Sequence, residues 1–331
     1  MELPISLREK INKKAEGKKQ SELLEISKEI SDRYINKSGR GKRLVTKDEE
    51  ALVYSIARMP ATYGAIVTSL QWSLDIFDET INSVLDVGAG TGAASWASSE
   101  VINEELQITC LEREDAMINL GKEYMQDECT SLANATWLKQ DVANAEITQK
   151  ADLVISSYTL NEFSDEARIK AVQKLWNATN KLLLIIEPGT PESFKKMKGI
   201  REYLIESGGN VVAPCVHNQK CELPEEDWCQ FTCRVSRTRL HKILKGGDSP
   251  FEDEKFFYLA ISKNSKTATE KNYSRVLRHP KIESGRITLK LCDVNGIYEK
   301  MITKKEKELF KEVRKIASGD LLNGGIKENG F

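Results

Sequence analysis

The sequence has no apolar run of the ~18–20 residues that a membrane-spanning helix needs, which excludes that class. No hydrophobic signal core follows Met1-Glu2-Leu3-Pro4-Ile5. The basic residues that come next alternate with Glu9, Glu16, Glu22 and Glu25, whereas transit peptides are poor in acids. The expectation is an unprocessed, cytosolic chain whose seven cysteines are reduced thiols or metal ligands, not disulfides. Charge of one sign is missing too: 49 Lys and Arg face 50 Asp and Glu, for a net −1. That total argues against a generic polyanion binder. There is no internal repeat and no long low-complexity segment. What is present is 331 residues, 40% hydrophobic and 30% charged, enough for two domains with buried cores.

The near-neutral total hides a pattern. Residues 1–48 carry +5, residues 49–194 carry −14 and residues 195–331 carry +8. An acidic middle between basic flanks suggests different partners for different parts. Residues 5–38 read as charged helices, with Leu23, Leu24, Ile26, Ile30, Tyr34 and Ile35 near helical spacing. Ser38 to Arg43 is a Gly-rich basic link. Thr46-Lys47-Asp48-Glu49 has a capping-box pattern, with Thr46 as N-cap, ahead of a helix running towards Met59. Pro60 and Gly64 are expected to interrupt it before a second helix through Leu74.

From Ser83 short apolar runs alternate with helical stretches: 84–87, 106–111, 136–138, 152–155 and 182–186. Five buried-type strands with helices between them make a parallel, doubly wound α/β sheet. The strongest motif lies at its first turn, Asp86-Val87-Gly88-Ala89-Gly90-Thr91-Gly92, between a strand and a helix. Glycines there let the backbone turn sharply and approach a ligand closely. The spacing is Gly-x-Gly-x-Gly, which disfavours the Gly-x-Gly-x-x-Gly of nicotinamide dinucleotide sites. Asp86 stands just before the turn, where a carboxylate can act on a cation or an amino group. Glu112 ends the next strand, where a ribose-hydroxyl acceptor sits in this architecture. Asp141 follows the third strand.

These residues resemble class I S-adenosylmethionine-dependent methyltransferases. The resemblance implies that Gly88, Gly90 and Gly92 contact the methionine part, Glu112 the ribose hydroxyls, and that Asp141 lies near the adenine. After the fourth strand, Ser156-Ser157-Tyr158-Thr159-Leu160-Asn161-Glu162-Phe163 lacks the Asn/Asp-Pro-Pro-aromatic signature of amine methylation. Tyr158, Asn161 and Glu162 are pocket candidates, and a polar loop capping a helix is the plainer reading. Asn161-Glu162 also reads as a helix start.

Cys215, Cys221, Cys229 and Cys233 follow one another in a loop-rich stretch, with His217 between the first two. Clustered thiols in a loop suit metal ligation. Zinc knuckles of the Cys-x(2–4)-Cys type are absent, while iron–sulfur clusters accept more varied spacing. In a strand over 228–235, Cys233 shares a face with Phe231 and is a core residue or a neighbour of the site. Spacing alone does not select a fourth ligand.

The whole order of motifs is similar to the Rsm-type, methyltransferase-like family of small-ribosomal-subunit proteins. It runs from Arg58-Met59-Pro60-Ala61-Thr62-Tyr63-Gly64-Ala65 through the glycine loop and Glu187-Pro188-Gly189-Thr190-Pro191. Ala213-Pro214-Cys215-Val216-His217, Asp227-Trp228-Cys229-Gln230-Phe231, Glu252 to Phe256, Arg275-Val276 and Leu289-Lys290-Leu291-Cys292 complete it. The resemblance implies a 4Fe–4S cluster on Cys215, Cys221, Cys229 and Cys292. Val216 departs from the family's proline, and Cys233 is an additional thiol, so Cys233 or His217 stays open as an alternative ligand.

Basic residues at 234, 237, 239, 241, 242 and 245, then at 275, 278, 279, 281 and 286, with Tyr273 between them, suit an RNA backbone and unstacked bases. Arg40, Lys42 and Arg43 suit ordering on RNA. The expected organisation is an N-terminal helical region (1–80), a methyltransferase-like domain (81–265) with the Cys-rich insertion 213–233, and a small basic β/α extension (266–331). The expected function is that of an S-adenosylmethionine-binding, iron–sulfur protein acting on the small ribosomal subunit, its rRNA and its proteins, with a monomer favoured. The alternatives are a catalytically inactive assembly factor and a small-molecule or protein methyltransferase with a zinc-stabilised insertion.

Overall fold

The computed structural model describes residues 1–37, 45–103, 105–264 and 273–323. The basic link carrying Arg40, Lys42 and Arg43 lies outside the described residues. The chain divides into two units: Met1–Gln71 with Glu79–Glu187 and Cys233–Glu254, and Trp72–Asp78 with Pro188–Thr232 and Lys255–Phe331.

The first unit opens with helices α1 (Ile5–Ala15), α2 (Gln20–Lys37), α3 (Asp48–Ala57) and α4 (Met59–Leu74), the last running on into the second unit. α1 buries Leu7 and Ile11, one helical turn apart, at about 1.5–3 kcal/mol each. Gly17, at φ +75°, separates it from α2. The capping box at α3 sits one residue later than its sequence pattern. Lys47 is the N-cap, and the Glu50 carboxylate, not that of Glu49, reaches back to the Thr46 and Lys47 N–H groups at 2.7 and 3.2 Å. Arg33 fixes that choice by bonding Glu50 at 2.7 Å. Gly64 does not interrupt α4. A Cβ there would lie 2.5 Å from Val235 Cγ1 and 3.3 Å from Cys233 Sγ, so the glycine serves close packing within the helix.

Strands β1 (Ser83–Val87), β2 (Gln107–Glu112), β3 (Thr136–Lys139), β4 (Ala151–Ser157) and β5 (Thr179–Pro188) follow the five apolar runs. They pair in the order β3-β2-β1-β4-β5, all parallel, with Val84 opposite Ile108 on one side and Leu153 on the other. Leu182 to Ile186 are fully buried, as a sheet covered on both faces requires. The crossovers carry α5 (Ala93–Val101), α6 (Asp115–Met125), the short α7 (Thr130–Ala133) and α8 (Asp165–Ala178). This is the doubly wound α/β fold of class I methyltransferases. Its strand order reverses between β1 and β4, which puts the ligand crevice at the carboxyl ends of those strands.

In the second unit α9 (Pro191–Glu206) leads to β6 (Asn210–Ala213), which pairs antiparallel with β8 (Phe251–Ser262). Between these in sequence come β7 (Phe231–Ser236), which crosses into the first unit at Cys233, and α10 (Arg239–Lys245), which belongs to the first unit. A separate sheet contains β9 (Tyr273–Val276), β10 (Lys281–Glu283), β11 (Arg286–Asp293), β12 (Gly296–Thr303) and β13 (Leu321–Asn323), in the order β10-β11-β9-β13 with β12 on β11. Its core is Val276, Ile287, Leu289, Leu291, Ile302 and Leu322, closed by Val313 of α11 (Lys307–Val313). Among the described residues no helix is long and apolar enough to cross a membrane.

Candidate functional site

The glycine turn leaves the carboxyl end of β1, at the crevice. Gly88, Gly90 and Gly92 all adopt left-handed backbone, at φ +73°, +57° and +91°. Beside Gly90 the space is open: a Cβ would meet only Tyr54 Cε1, at 3.9 Å. Asp86 is 1% exposed. Its Oδ2 accepts from Ser95 N–H at 3.1 Å and Ser95 Oγ at 2.9 Å, while Oδ1 has no partner among the described residues. Burial pushes its carboxyl up to about 7, against the Ser95 hydrogen bonds.

Glu112 ends β2 with its carboxylate turned to the loop. Oε2 accepts from Gly90 N–H at 2.8 Å, and Oε1 from the Arg113 and Glu114 N–H groups at 2.7 and 3.0 Å. One lone-pair site on Oε2 stays available. Burial raises this acid as well. Asp141 closes a turn after β3, accepting from Ala143 N–H at 3.0 Å and Asn144 Nδ2 at 2.9 Å. The acidic residues singled out in the sequence thus stand at the carboxyl ends of β1, β2 and β3.

The corner after β4 is built more tightly than a polar loop. Tyr158 holds a left-handed φ of +56°, which for a bulky residue is strained, and donates its hydroxyl to Glu254 at 2.8 Å. Asn161 and Glu162 lie in a 3₁₀ turn over Leu160–Glu162; α8 starts later, capped by Ser164. Glu162 pairs with Arg113 at 3.3 Å, and burial pushes it to about 7. Glu187, 1% exposed at the end of β5, accepts from Leu160 N–H at 2.8 Å and is pushed by burial to about 8.

Three further residues complete this corner, of which only Arg58 lay in a motif singled out in the sequence, and none had been assigned to the site. Tyr34, Tyr54 and Arg58 come from the N-terminal helices. Burial raises both tyrosines, and both feel the charges of Arg58, Glu112 and Glu162, so all five ring one corner. A usable signal was the four-residue spacing of Tyr54 and Arg58, which puts them on one helix face.

The second unit gathers the cysteines. Cys215 and Cys221 are half-buried; Cys229 and Cys292 are buried. Burial raises the Cys229 thiol, and Cys215, Cys292 and Cys221 raise it further; Cys292 in turn feels Cys215 and Cys221. The four thiols are electrostatic neighbours. Cys292 Sγ also lies 3.7 Å from His217 Nε2. Arg201 braces the loop by donating to His217 O and Gln219 O at 2.7 and 2.8 Å, and Trp228 Nε1 donates to Gly189 O at 3.0 Å. Among the described residues no three His, Cys, Asp or Glu side chains converge to hold a single metal ion. Cys233 belongs to the first unit. It packs on the buried face of β7 with Val235, against Gly64 of α4.

The basic run after Cys229 is not a free patch. Arg234 forms a two-point pair with Asp253 at 2.7 and 2.9 Å. Arg237, His241 and Lys245 all converge on Glu252. Arg275 is buried and Arg278 pairs with Asp227. Arg239, Lys242 and His279 have no ion-pair partner among the described residues. Burial raises Glu252, but His241 and Lys245 outweigh it and hold its carboxyl at about 2. A depressed carboxyl stabilises the fold above its unfolded value near 4.5 and loses that contribution as pH falls towards 2. Glu252→Gln should cost about 2 kcal/mol at pH 7. The gap in Tm between the two proteins should close as pH falls from 4.5 towards 2, which thermal melts in a pH series would measure.

Comparison with known proteins fits this geometry to a family. Residues 48–323 match the family model described as mitochondrial small ribosomal subunit Rsm22. The ribosome assembly protein METTL17, mitochondrial, of Homo sapiens is 23% identical over 292 residues, covering 82% of this chain and 62% of that protein. The Rsm22-cox11 tandem protein 2, mitochondrial, of Schizosaccharomyces pombe is 23% identical over 325 residues, covering 83% of this chain and 43% of that one. The chain thus spans about three-fifths of the first relative and under half of the second. Among solved structures, the magnesium protoporphyrin IX methyltransferase of Synechocystis PCC 6803 overlaps with a TM-score of 0.41 at 14% identity, covering 72% of this chain and 97% of that one. The fold assignment stands on the strand order and the glycine turn.

The cytosolic expectation is overturned, since the family and both relatives are mitochondrial by description. The acid-rich start that suggested it is explained by packing: residues 5–15 form a helix seated on α6, with Lys10 Nζ donating to Tyr124 O at 2.8 Å and Lys14 pairing with Glu123 at 2.5 Å. Such a pattern reports a folded helix. The chain belongs to the mitochondrial small ribosomal subunit Rsm22 family.

Proposed function

We propose that this protein binds S-adenosylmethionine on the glycine loop, carries a 4Fe–4S cluster on Cys215, Cys221, Cys229 and Cys292, and acts on the small ribosomal subunit or its rRNA during assembly. The observation that carries it is the loop itself. Three left-handed glycines shape the turn at the end of β1, with open space beside Gly90, next to a buried Asp86 whose Oδ1 has no partner among the described residues and a Glu112 with spare acceptor capacity. Asp86 and Glu162 share a charge environment with Glu112, and burial holds all three above ordinary carboxylate values. A cationic ligand would relieve that cost, and the sulfonium cofactor is such a cation. When bound it would supply an activated methyl group. Asp86, Gly88, Gly90, Gly92, Glu112 and Asp141 would position it by alignment.

The cluster reading rests on Cys215, Cys221, Cys229 and Cys292 being electrostatic neighbours in one unit. A 4Fe–4S cube takes one thiolate on each of its irons. The ribosomal partner follows the relatives: the human protein is named for ribosome assembly and the family for the small subunit. Arg239, Lys242 and His279 remain to meet phosphate.

A second reading is an assembly factor that binds the cofactor without transferring its methyl group. It is favoured by the corner after β4, where Tyr158 and Glu162 are occupied by Glu254 and Arg113. One experiment separates the two. Anaerobically purified full chain is incubated with methyl-labelled S-adenosylmethionine and immature small-subunit particles, with iron, sulfide and zinc assayed on the same preparation. Label in rRNA or protein establishes an enzyme. Binding without label establishes the factor. No cofactor binding, or stoichiometric zinc without sulfide, removes the corresponding part of the proposal.

A further inference from the structure

We propose that Arg58 is the carboxylate receptor of the cofactor site, taking the α-carboxylate of the methionine half; this rests on the cofactor reading above. Arg58 follows α3 directly, between two residues that border the glycine loop. Tyr54, four residues earlier on the same helix face, lies across the open space from Gly90. Met59, the next residue, accepts a hydrogen bond on its sulfur from Thr91 Oγ1 at 3.3 Å. The Arg58 side chain therefore stands at the mouth of the loop.

Its guanidinium carbon sits 5.8 Å from the Tyr34 ring centroid, a cation–π contact that orients the planar group. Among the described residues it makes no ion pair, although three carboxylates share its surroundings. Each of them is engaged elsewhere. Glu112 accepts three backbone N–H groups, Glu162 pairs with Arg113, and Glu254 accepts from Tyr158. Arg58 is also exposed, so a ligand can reach it. An oriented, unpaired guanidinium in an otherwise acidic corner is suited to one small anion, and its fork matches a carboxylate at two points.

Direction selects which anion. Glu112 and Asp141, at the ends of β2 and β3, mark the ribose and adenine side. The charge of Arg58 reaches Tyr158, just past β4, on the opposite side of β1. A cofactor lying across the β1 end with its adenosyl part over β2 and β3 turns its amino-acid half towards β4, where Arg58 waits. The sulfonium and ammonium then fall among the carboxylates and the carboxylate on the arginine, so opposite charges meet along the whole ligand.

The test uses calorimetry on the full chain with two probes, S-adenosylmethionine and its decarboxylated analogue, which lacks only the carboxylate. The wild type should prefer the first by about 10–100-fold, as expected of a charge-assisted two-point bond. Arg58→Gln should erase that preference while binding the decarboxylated probe as the wild type does. Arg58→Lys should restore part of it. Equal weakening of both probes by Arg58→Gln, or an unchanged preference, overturns the inference and leaves the cofactor reading standing. Loss of affinity for a small-subunit rRNA fragment with the preference unchanged would assign Arg58 to a phosphate and likewise overturn it. A folded wild type that binds neither probe removes the cofactor reading, and this inference with it.

Discussion

Arg275→Met should destabilise the protein by about 3 kcal/mol, through the loss of two hydrogen bonds from a buried cation. Arg275 is 1% exposed on β9. Its Nε donates to Pro214 O at 3.0 Å and its Nη1 to Gly319 O at 2.6 Å. It therefore ties the residue before Cys215 to the segment that leads into β13. Methionine fills much of the same volume, so the cavity term is small. The two carbonyls, however, lose donors, at about 1–3 kcal/mol each. An opposing term exists, because removing a buried cation recovers its desolvation cost. That term is reduced here, since Asp75, Glu312 and Asp320 line the same cavity and outnumber Lys315, the other cation there. The hydrogen bonds should win. Arg275→Lys should rescue little, because a point ammonium cannot reach two carbonyls placed for a planar fork. Urea unfolding of the three proteins measures this; a Met variant as stable as the wild type would show that the buried charge was a net cost.

The legible parts of this protein were those where one residue type has one physical use. The run Leu182 to Ile186 could only be a strand covered on both faces, and it is. The glycine run between a strand and a helix could only be a sharp turn, and all three glycines have the backbone that only glycine adopts freely. Long-range pairing was less legible. Arg234, Arg237, His241 and Lys245 look like an RNA-facing run when read along the chain. In space Asp253 and Glu252, seven to nineteen residues on, neutralise them across β7, α10 and β8. Local patterns slipped where a tertiary partner decided: Arg33 selects Glu50 over Glu49 for the α3 cap, and Val235 explains a glycine inside α4. Tyr34, Tyr54 and Arg58 were invisible as a group because their meaning lies in which loop their helix faces.

Gly88→Ala should cost about 3 kcal/mol and weaken cofactor binding at least about tenfold, through two separable effects. The first is backbone: at φ +73° an alanine pays about 1–2 kcal/mol for the left-handed conformation. The second is contact. The new Cβ would lie 2.4 Å from Thr159 Oγ1, 2.7 Å from its Cγ2 and 3.1 Å from its Cβ. A β-branched side chain has few rotamers, so Thr159 cannot swing aside at low cost. The strain must pass into the glycine loop or the β4 corner, and either movement disturbs the site. Thr159→Ala removes the two nearest atoms and leaves the 3.1 Å contact, so the double variant should recover the contact term while keeping the backbone term. A four-protein cycle of denaturant midpoints, with S-adenosylhomocysteine affinity measured on each, separates the effects. A coupling of about 1–2 kcal/mol in stability, together with partial return of affinity, is the expected result. Additive effects would mean the loop relaxes away from Thr159, and the close packing of loop against corner would then not be what holds the site in shape.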